Sequence, residues 1–228
     1  MAEKKVLKVG LDSAAPFPMH SDYNSEKFEG FEVDLLKAIN NHLGLEVQYE
    51  VSLWANILEQ LFRGELDLIC SAVTVTPSRR HILEFTNPYL HFRLCAVVNY
   101  EDNIRTINDL RHKTIGIREH TEAEKYVHQN FPNNNMVHAE TNKELYRKLQ
   151  AGKIDLLIDD SPIAGGFLQK IKNLKVGLYL PGTDSQYAIA MRKGDIQLKD
   201  QFNSVLSLLK ENGTYQEIYK KWFTDVQF

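Results

Sequence analysis

The chain has 228 residues, 43% hydrophobic and 25% charged, the composition of a soluble globular protein that can bury a full core. Its 27 basic and 30 acidic residues are interspersed and leave a net charge of −3, which excludes the basic footprint of a nucleic-acid binder. No window approaches the roughly 20 apolar residues of a membrane span. The N-terminal MAEKKVLKVG lacks the apolar core of a signal peptide, so the chain is either cytoplasmic or one whose signal has been replaced by an initiator methionine.

Val6 to Leu11 reads as a first strand, followed by a turn holding Asp12, Ala14, Pro16 and Phe17. A bend at Phe28–Phe31 leads into a helix from about Glu32 to His42, with Phe31, Leu35, Leu36, Ile39 and Leu43 at the helical period. Gly44 closes it, and Leu45 to Val51 alternates as a strand. Trp54 opens the next helix, which turns Ile57, Leu58 and Leu61 inward and stops at Gly64. Leu66 to Val73 is an apolar run suited to an interior parallel strand, and a polar loop through Ser71, Thr74, Thr76 and Arg79 follows. This β-α-β-α-β order predicts a parallel sheet, whose ligands bind beyond the carboxyl ends of its strands.

His81 to Phe92 is aromatic-rich and irregular. Leu94 to Val98 is a strand and Tyr100 to Asn103 a polar turn, after which the alternation restarts with a strand at Thr114 to Ile117. Thr121 and Glu124 form a capping-box pattern at a helix start, and Met136 to His138 is a short strand. Thr141 and Glu144 repeat the box before a helix to Ala151. Asp155 to Ile158 is a strand, Pro162 suits a helix's first turn, and Lys175 to Leu180 is a strand. The tail is one strand, Tyr187 to Met191, and two helices, Leu198 to Asn212 and Thr214 to Phe223. With no further strands to pair, it reads as a return onto the first lobe. The aromatic and basic YQEIYKKWF within it reads as a core-facing stripe with solvated lysines, not a membrane anchor.

One unit occurs twice. The spacing L-x-x-G-x-(L/I)-D-L-(I/L) fits Leu61, Gly64, Leu66, Asp67, Leu68 and Ile69, and again Leu149, Gly152, Ile154, Asp155, Leu156 and Leu157. The first copy leads to a cation, Arg79, and the second to anions, Asp159 and Asp160. Two half-sites of opposite charge suit a zwitterion; the competing explanation is the local likeness of any two βαβ units.

Five segments, FEGFEVDLLKAI (28–39), LFRGELDLI (61–69), TVTPSRRHILEFTNPY (74–89), GKIDLLIDDSP (152–162) and NGTYQEIYKKWF (212–223), carry a resemblance over nearly the whole chain. The chain resembles the periplasmic solute-binding proteins of ABC importers, in the polar amino-acid branch (bacterial extracellular solute-binding proteins, family 3). The resemblance implies an α/β, two-lobed periplasmic-binding-protein fold of type II. Each lobe would be a mostly parallel sheet flanked by helices, with a ligand cleft between the lobes. Lobe 1 would comprise 1–96 and 187–228 and lobe 2 97–186, with hinge crossovers near Ala96–Tyr100 and Pro181–Gln186. It also implies an extracytoplasmic monomer with its signal peptide removed, no cofactor and no metal, whose partners are a free amino acid and the importer's transmembrane subunits.

The resemblance assigns roles residue by residue. Arg79 would clasp the α-carboxylate, for which a planar guanidinium fork suits better than a lysine. Arg80 falls outside the motif. Thr74 would add a hydroxyl contact, and Ser71 and Ala72 backbone contacts, on the same loop. Asp160 would receive the α-ammonium, with Asp159 facing the ligand side chain. Thr121, at a helix N-terminus, would meet an anion as well as cap the helix. Trp54 would be a platform over the ligand. Asp12, Arg118 and Glu122 complete the ligand-binding set. There are departures: the family usually has an aromatic near Ala14 in a slightly longer loop, and a glycine where this chain has His120. Arg118 and Glu122 pull the side-chain preference in opposite directions.

An enzyme, a cyclohexadienyl dehydratase on the same fold, is the alternative from another class. It would need a general acid after Asp160, where the chain reads Ser161-Pro162-Ile163-Ala164, leaving Glu122 as the remaining donor. The amino-acid-sensing domain of a larger receptor is the other alternative; a chain that stops after Phe228 without a linker favours a free-standing protein. No phosphate-binding loop, nucleophile elbow or zincin motif is present. The eight histidines show no metal-ligand spacing, and Cys70 and Cys95 sit in apolar runs as core residues, with a single disulfide as the other option.

Overall fold

The computed structural model describes residues 6–12 and 28–223. The rest of the expected turn, Ala14, Pro16 and Phe17, and with it the departure at Ala14, lies outside them. The chain divides into two compact units, one running to His91 and resuming at Gln186, the other running from Phe92 to Ser185.

The first unit starts with β1 (Val6–Asp12), α1 (Phe31–Leu43), β2 (Glu46–Ser52), α2 (Trp54–Phe62) and β3 (Leu68–Ile69). In α1 the buried stripe is Phe31, Leu35, Leu36 and Ile39. Glu32 and Asp34 lie in its first turn and His42 in its last, the polarity a helix dipole favours. Gly44 ends it at φ 66°, a left-handed conformation that costs a Cβ-bearing residue more. The apolar run to Val73 pairs over only Leu68–Ile69, because Ala72 turns to φ 50° and leaves the extended region. The expected polar loop contains a helix, α3 (Pro77–Ile82), started by Pro77 and capped by Thr76, whose hydroxyl accepts from the Arg79 N–H at 3.2 Å. The expected irregular segment holds β4 (Leu83–Phe85) and β5 (Leu90–Phe92).

The second unit contains β6 (Leu94–Asn99), a 3-10 turn at Ile107–Leu110, β7 (Thr114–Arg118), α4 (Glu122–Asn130), β8 (Asn135–Ala139), α5 (Asn142–Gln150), β9 (Leu156–Asp160), α6 (Ser161–Lys170) and β10 (Leu174–Tyr179). The chain then returns through β11 (Ser185–Tyr187), β12 (Ala190–Arg192), α7 (Ile196–Glu211) and α8 (Thr214–Trp222). The single strand expected over Tyr187–Met191 is thus two. Between them Thr86 donates its N–H to the Ile189 carbonyl at 3.0 Å and its hydroxyl accepts from the Ile189 N–H at 3.1 Å. Because β6 belongs wholly to the second unit, the chain leaves the first at 91–92, ahead of the expected Ala96–Tyr100; it returns at 185–186.

Each unit is built on a five-stranded sheet. The first has the order β2-β1-β3-β12-β4, and the second, β8-β7-β9-β6-β10, places equivalent strands in equivalent positions. The sheets are mixed where the sequence predicts mostly parallel ones. β1 is parallel to β2 and β3, and β7 to β8 and β9, but β12 and β6 run antiparallel to both neighbours. Those two strands enter their sheets directly after a crossing, so no right-handed helical crossover sets their direction.

The repeated sequence is a repeated joint. In each copy the glycine is left-handed, Gly64 at φ 75° and Gly152 at φ 65°. Its N–H donates to the Leu61 carbonyl at 3.1 Å in one copy and to the Leu149 carbonyl at 3.0 Å in the other. The aspartate then clips the parallel neighbouring strand of its own sheet. Asp67 accepts from the Lys8 N–H at 2.9 Å and Asp155 from the Thr114 N–H at 2.6 Å. The backbone N–H groups of Asp67 and Asp155 return bonds of 2.8 and 2.9 Å to the carbonyls of Lys8 and Thr114. The motif therefore fixes the amino ends of the strands, away from the ligand-binding ends. Gly10 and Gly116 match as well. A Cβ at Gly10 would stand 2.7 Å from Leu66 Cδ1, and one at Gly116 2.4 Å from Ile154 Cδ1, so the flanking helix and loop pack directly on the strand backbone.

The tail packs on the first unit, α7 and α8 against α1. Phe31 lies with ring centroids 6.1, 6.3 and 5.0 Å from Tyr215, Tyr219 and Phe223. Lys221 Nζ and Trp222 Nε1 both donate to Asp34 Oδ2, at 2.6 and 2.9 Å, so the aromatic stripe faces the core and one of its lysines is anchored. Cys70 and Cys95 are free and buried, one in each unit. Among the described residues no helix is long and apolar enough to cross a membrane.

Candidate functional site

In the first unit the expected residues gather where β1 and β3 end. The Asp12 N–H donates to Ser71 Oγ at 2.9 Å, and both residues are buried. Beside them Ala72 holds its left-handed φ, which a non-glycine residue keeps only where its surroundings impose it. The constraint is Glu32. Its Oε1 accepts from the Ala72 N–H at 2.6 Å and from the Tyr89 hydroxyl.

Glu32 is fully buried, and among the described residues its Oε2 has no hydrogen-bond partner. Burial pushes its carboxyl up to about 7, against the pull of the Tyr89 and Ala72 bonds, with Asp12 nearby raising it further. Sequence pattern alone assigns Glu32 no role. A signal was there: Glu32 stands three and four residues before Leu35 and Leu36, on the apolar face of α1.

Arg79 lies in the first turns of α3. Its Nη1 donates to the Thr74 carbonyl at 2.9 Å, and its guanidinium carbon stands 5.3 Å from the Trp54 ring centroid. Trp54 is thus the surface on which the arginine is laid, in the geometry of a cation–π contact. Thr74 is buried and bridges to Tyr187, which fixes the carbonyl that orients Arg79. Arg80 is exposed, its guanidinium 5.9 Å from the Phe85 ring centroid.

In the second unit the expected residues stand at the carboxyl ends of β7 and β9. Arg118 is buried, with Nε donating to the Glu140 carbonyl at 2.9 Å. Thr121 caps α4, accepting from the Glu124 N–H at 3.2 Å and donating its hydroxyl to the Arg118 carbonyl at 2.8 Å. Glu124 does not close the box on Thr121; its Oε2 accepts from the His120 N–H at 2.8 Å. His120 has φ 61°, which accounts for a glycine being the usual residue there. Glu122 Oε1 pairs with Lys125 Nζ at 2.7 Å along α4, which offsets its charge near the helix start.

Asp159 and Asp160, adjacent in sequence, face opposite ways at the end of β9. Asp160 is half-buried where β9 ends and α6 begins. Asp159, expected to face a ligand side chain, turns into the core instead. It accepts from Asn142 Nδ2 at 2.9 Å, the Tyr146 hydroxyl at 3.0 Å and the Asp160 N–H at 2.9 Å. Burial and the neighbouring Asp160 charge push its carboxyl up to about 8. Asp159 is therefore the second unit's counterpart of Glu32, a buried acid that holds the backbone of a strand end.

The first unit thus presents an oriented guanidinium fork and the second a half-buried carboxylate beside a helix N-terminus. The model of the family described as bacterial extracellular solute-binding proteins, family 3, matches residues 7–225. The chain is 26% identical over 223 residues to the L-cystine-binding protein TcyJ of Escherichia coli (strain K12), covering 97% of this chain and 84% of that protein. It superposes on the amino acid ABC transporter substrate-binding protein AbpA from Streptococcus pneumoniae, bound to L-arginine, with TM-score 0.88 at 26% identity, covering 96% and 94% of the two chains. It also superposes on the ancestral amino acid-binding protein AncCDT-1, a precursor of cyclohexadienyl dehydratase, with TM-score 0.87 at 29% identity and coverage of 96% and 95%.

Proposed function

The chain belongs to the bacterial extracellular solute-binding proteins of family 3, and we propose that it is the receptor component of an ABC importer, capturing a free α-amino acid. The observation that carries this is the Arg79 guanidinium, held by the Thr74 carbonyl and laid against Trp54. A fork fixed in this way presents parallel N–H donors to a carboxylate with little side-chain entropy left to lose. In this reading Arg79 and the Thr74 hydroxyl take the α-carboxylate, and Asp160 takes the α-ammonium.

A micromolar Kd corresponds to about −8 kcal/mol, within reach of a few charge-assisted hydrogen bonds plus apolar contact. Glu32 and Asp159 act behind the site, holding the Ala72 and Asp160 N–H groups. We read the protein as a receptor with no catalytic step, since Ser161, Pro162, Ile163 and Ala164 after Asp160 offer no carboxyl group as the acid, and Glu122, the remaining donor, is paired with Lys125 at 2.7 Å. The same reading makes it an extracytoplasmic protein that hands its ligand to the importer's membrane subunits.

The test is thermal unfolding of protein stripped of ligand by denaturation and refolding, against a panel of amino acids, dicarboxylates and prephenate. Ligand at 100 times Kd adds about 2.7 kcal/mol of stability, a clear rise in Tm. A rise with one chemical group of amino acids supports the receptor. A rise with prephenate alone, accompanied by its loss from solution, would replace the receptor by the dehydratase.

A further inference from the structure

The eight histidines are unremarkable in spacing, yet folding brings two of them to one carboxylate. Glu124 and His128 lie four residues apart on one face of α4. His138 reaches them from β8, the outer strand of the same sheet. One ligand atom from each of the three lies within 4.8 Å of the others. His138 Nε2 stands 3.3 Å from Glu124 Oε1, and the His128 and His138 rings stack with centroids 5.8 Å apart. Glu124 is already oriented, because its other oxygen accepts from the His120 N–H at 2.8 Å. That bond plays the part of the outer hydrogen bonds that fix ligands in metal sites.

We propose that Glu124, His128 and His138 bind a divalent transition-metal ion of the Zn2+ type. Two imidazoles and a carboxylate are the donor set of Zn2+, Ni2+ and Cu2+, whereas Ca2+ and Mg2+ take oxygen ligands. Around a tetrahedral ion with bonds of about 2 Å the ligand atoms sit roughly 3.3 Å apart. The Glu124–His138 pair already has that separation, and the partly exposed side chains can rotate to bring His128 in. Three protein ligands leave a fourth position for water, the arrangement of an open rather than a closed zinc site. The bound ion would tie α4 to β8 within the second unit. The site stands independently of the amino-acid reading, because none of its three ligands takes part in the proposed grip.

The experiment is isothermal titration of ZnCl2 into untagged protein freed of metal with a chelator, in a buffer that does not coordinate metals. The parent should take up one equivalent with micromolar or tighter affinity and rise in Tm. Its Co2+ form should show the visible absorption of a nitrogen- and oxygen-ligated ion. His128→Ala and His138→Ala, both at solvent-accessible positions, should each weaken binding at least tenfold while keeping the metal-free Tm of the parent. Absence of saturable binding below millimolar Zn2+ would overturn the proposal. So would unchanged affinity in either variant, which would place the ion elsewhere.

Discussion

The buried carboxyl of Glu32 makes a prediction about pH that can be worked from the structure. In the unfolded chain this group ionises near 4.5, and in the folded protein at about 7. Between those values the folded state keeps a proton that the unfolded chain has released. The contribution of Glu32 to folding is therefore most favourable below 4.5 and declines as pH rises, by roughly 3 kcal/mol in total by the time pH has passed 7. Asp159, raised from 3.8 to about 8, acts in the same direction, so the parent alone does not separate the two. Glu32→Gln does. The glutamine oxygen still accepts from the Ala72 N–H and the Tyr89 hydroxyl, but the side chain cannot ionise. Urea unfolding of the ligand-free parent and variant at pH 5, 6, 7 and 8 gives the comparison. The variant should gain on the parent by roughly 2–3 kcal/mol across the series, nearly all of it between pH 5 and 7, whatever constant offset the substitution carries at pH 5. Parallel pH profiles would refute the reasoning, because they would mean that Glu32 titrates alike in both states.

Gly116→Ala sets a Cβ 2.4 Å from Ile154 Cδ1 and 3.3 Å from Leu145 Cδ2, and should cost about 1–3 kcal/mol in urea unfolding. Adding Ile154→Ala, which removes the Cδ1 contact, should make Gly116→Ala less costly in that background; an equal cost would put the strain elsewhere. His120→Gly should stabilise the second unit by about 0.5–1 kcal/mol, because relief of the left-handed φ of 61° outweighs the entropy glycine adds to the unfolded chain. A fall in Tm would show that the His120 side chain contributes more than its backbone conformation costs.

Patterns local in sequence were legible before the fold was known. The stripe of α1, the glycines at 44 and 64, and the threonine caps at 121 and 141 depend on neighbours within one helical turn, and each appears where its pattern places it. The repeat around Gly64 and Gly152 was visible too, but its cause was not. The two aspartates bond to strands 59 and 41 residues away, a relation that spacing cannot display. Similar long-range causes explain the other differences. Leu66–Val73 has the composition of a full strand, yet Glu32, forty residues earlier, bonds the Ala72 N–H and the run ends after Ile69. Asp159 and Asp160 look interchangeable as letters, and only the pleat of β9, with Asn142 and Tyr146 on one side, sends the first inward. The Glu124–His128–His138 cluster was missed because its third member comes from a different element.

The proposed function rests on Arg79 taking the α-carboxylate of a free amino acid. Its most direct test is isothermal titration of the amino acid that raises Tm most into the ligand-stripped parent and into Arg79→Ala. The parent should bind one equivalent, and the variant, which leaves that carboxylate unpaired, should lose about 3–5 kcal/mol of affinity, a hundredfold or more. An Arg79→Ala protein that bound as tightly as the parent would contradict the account.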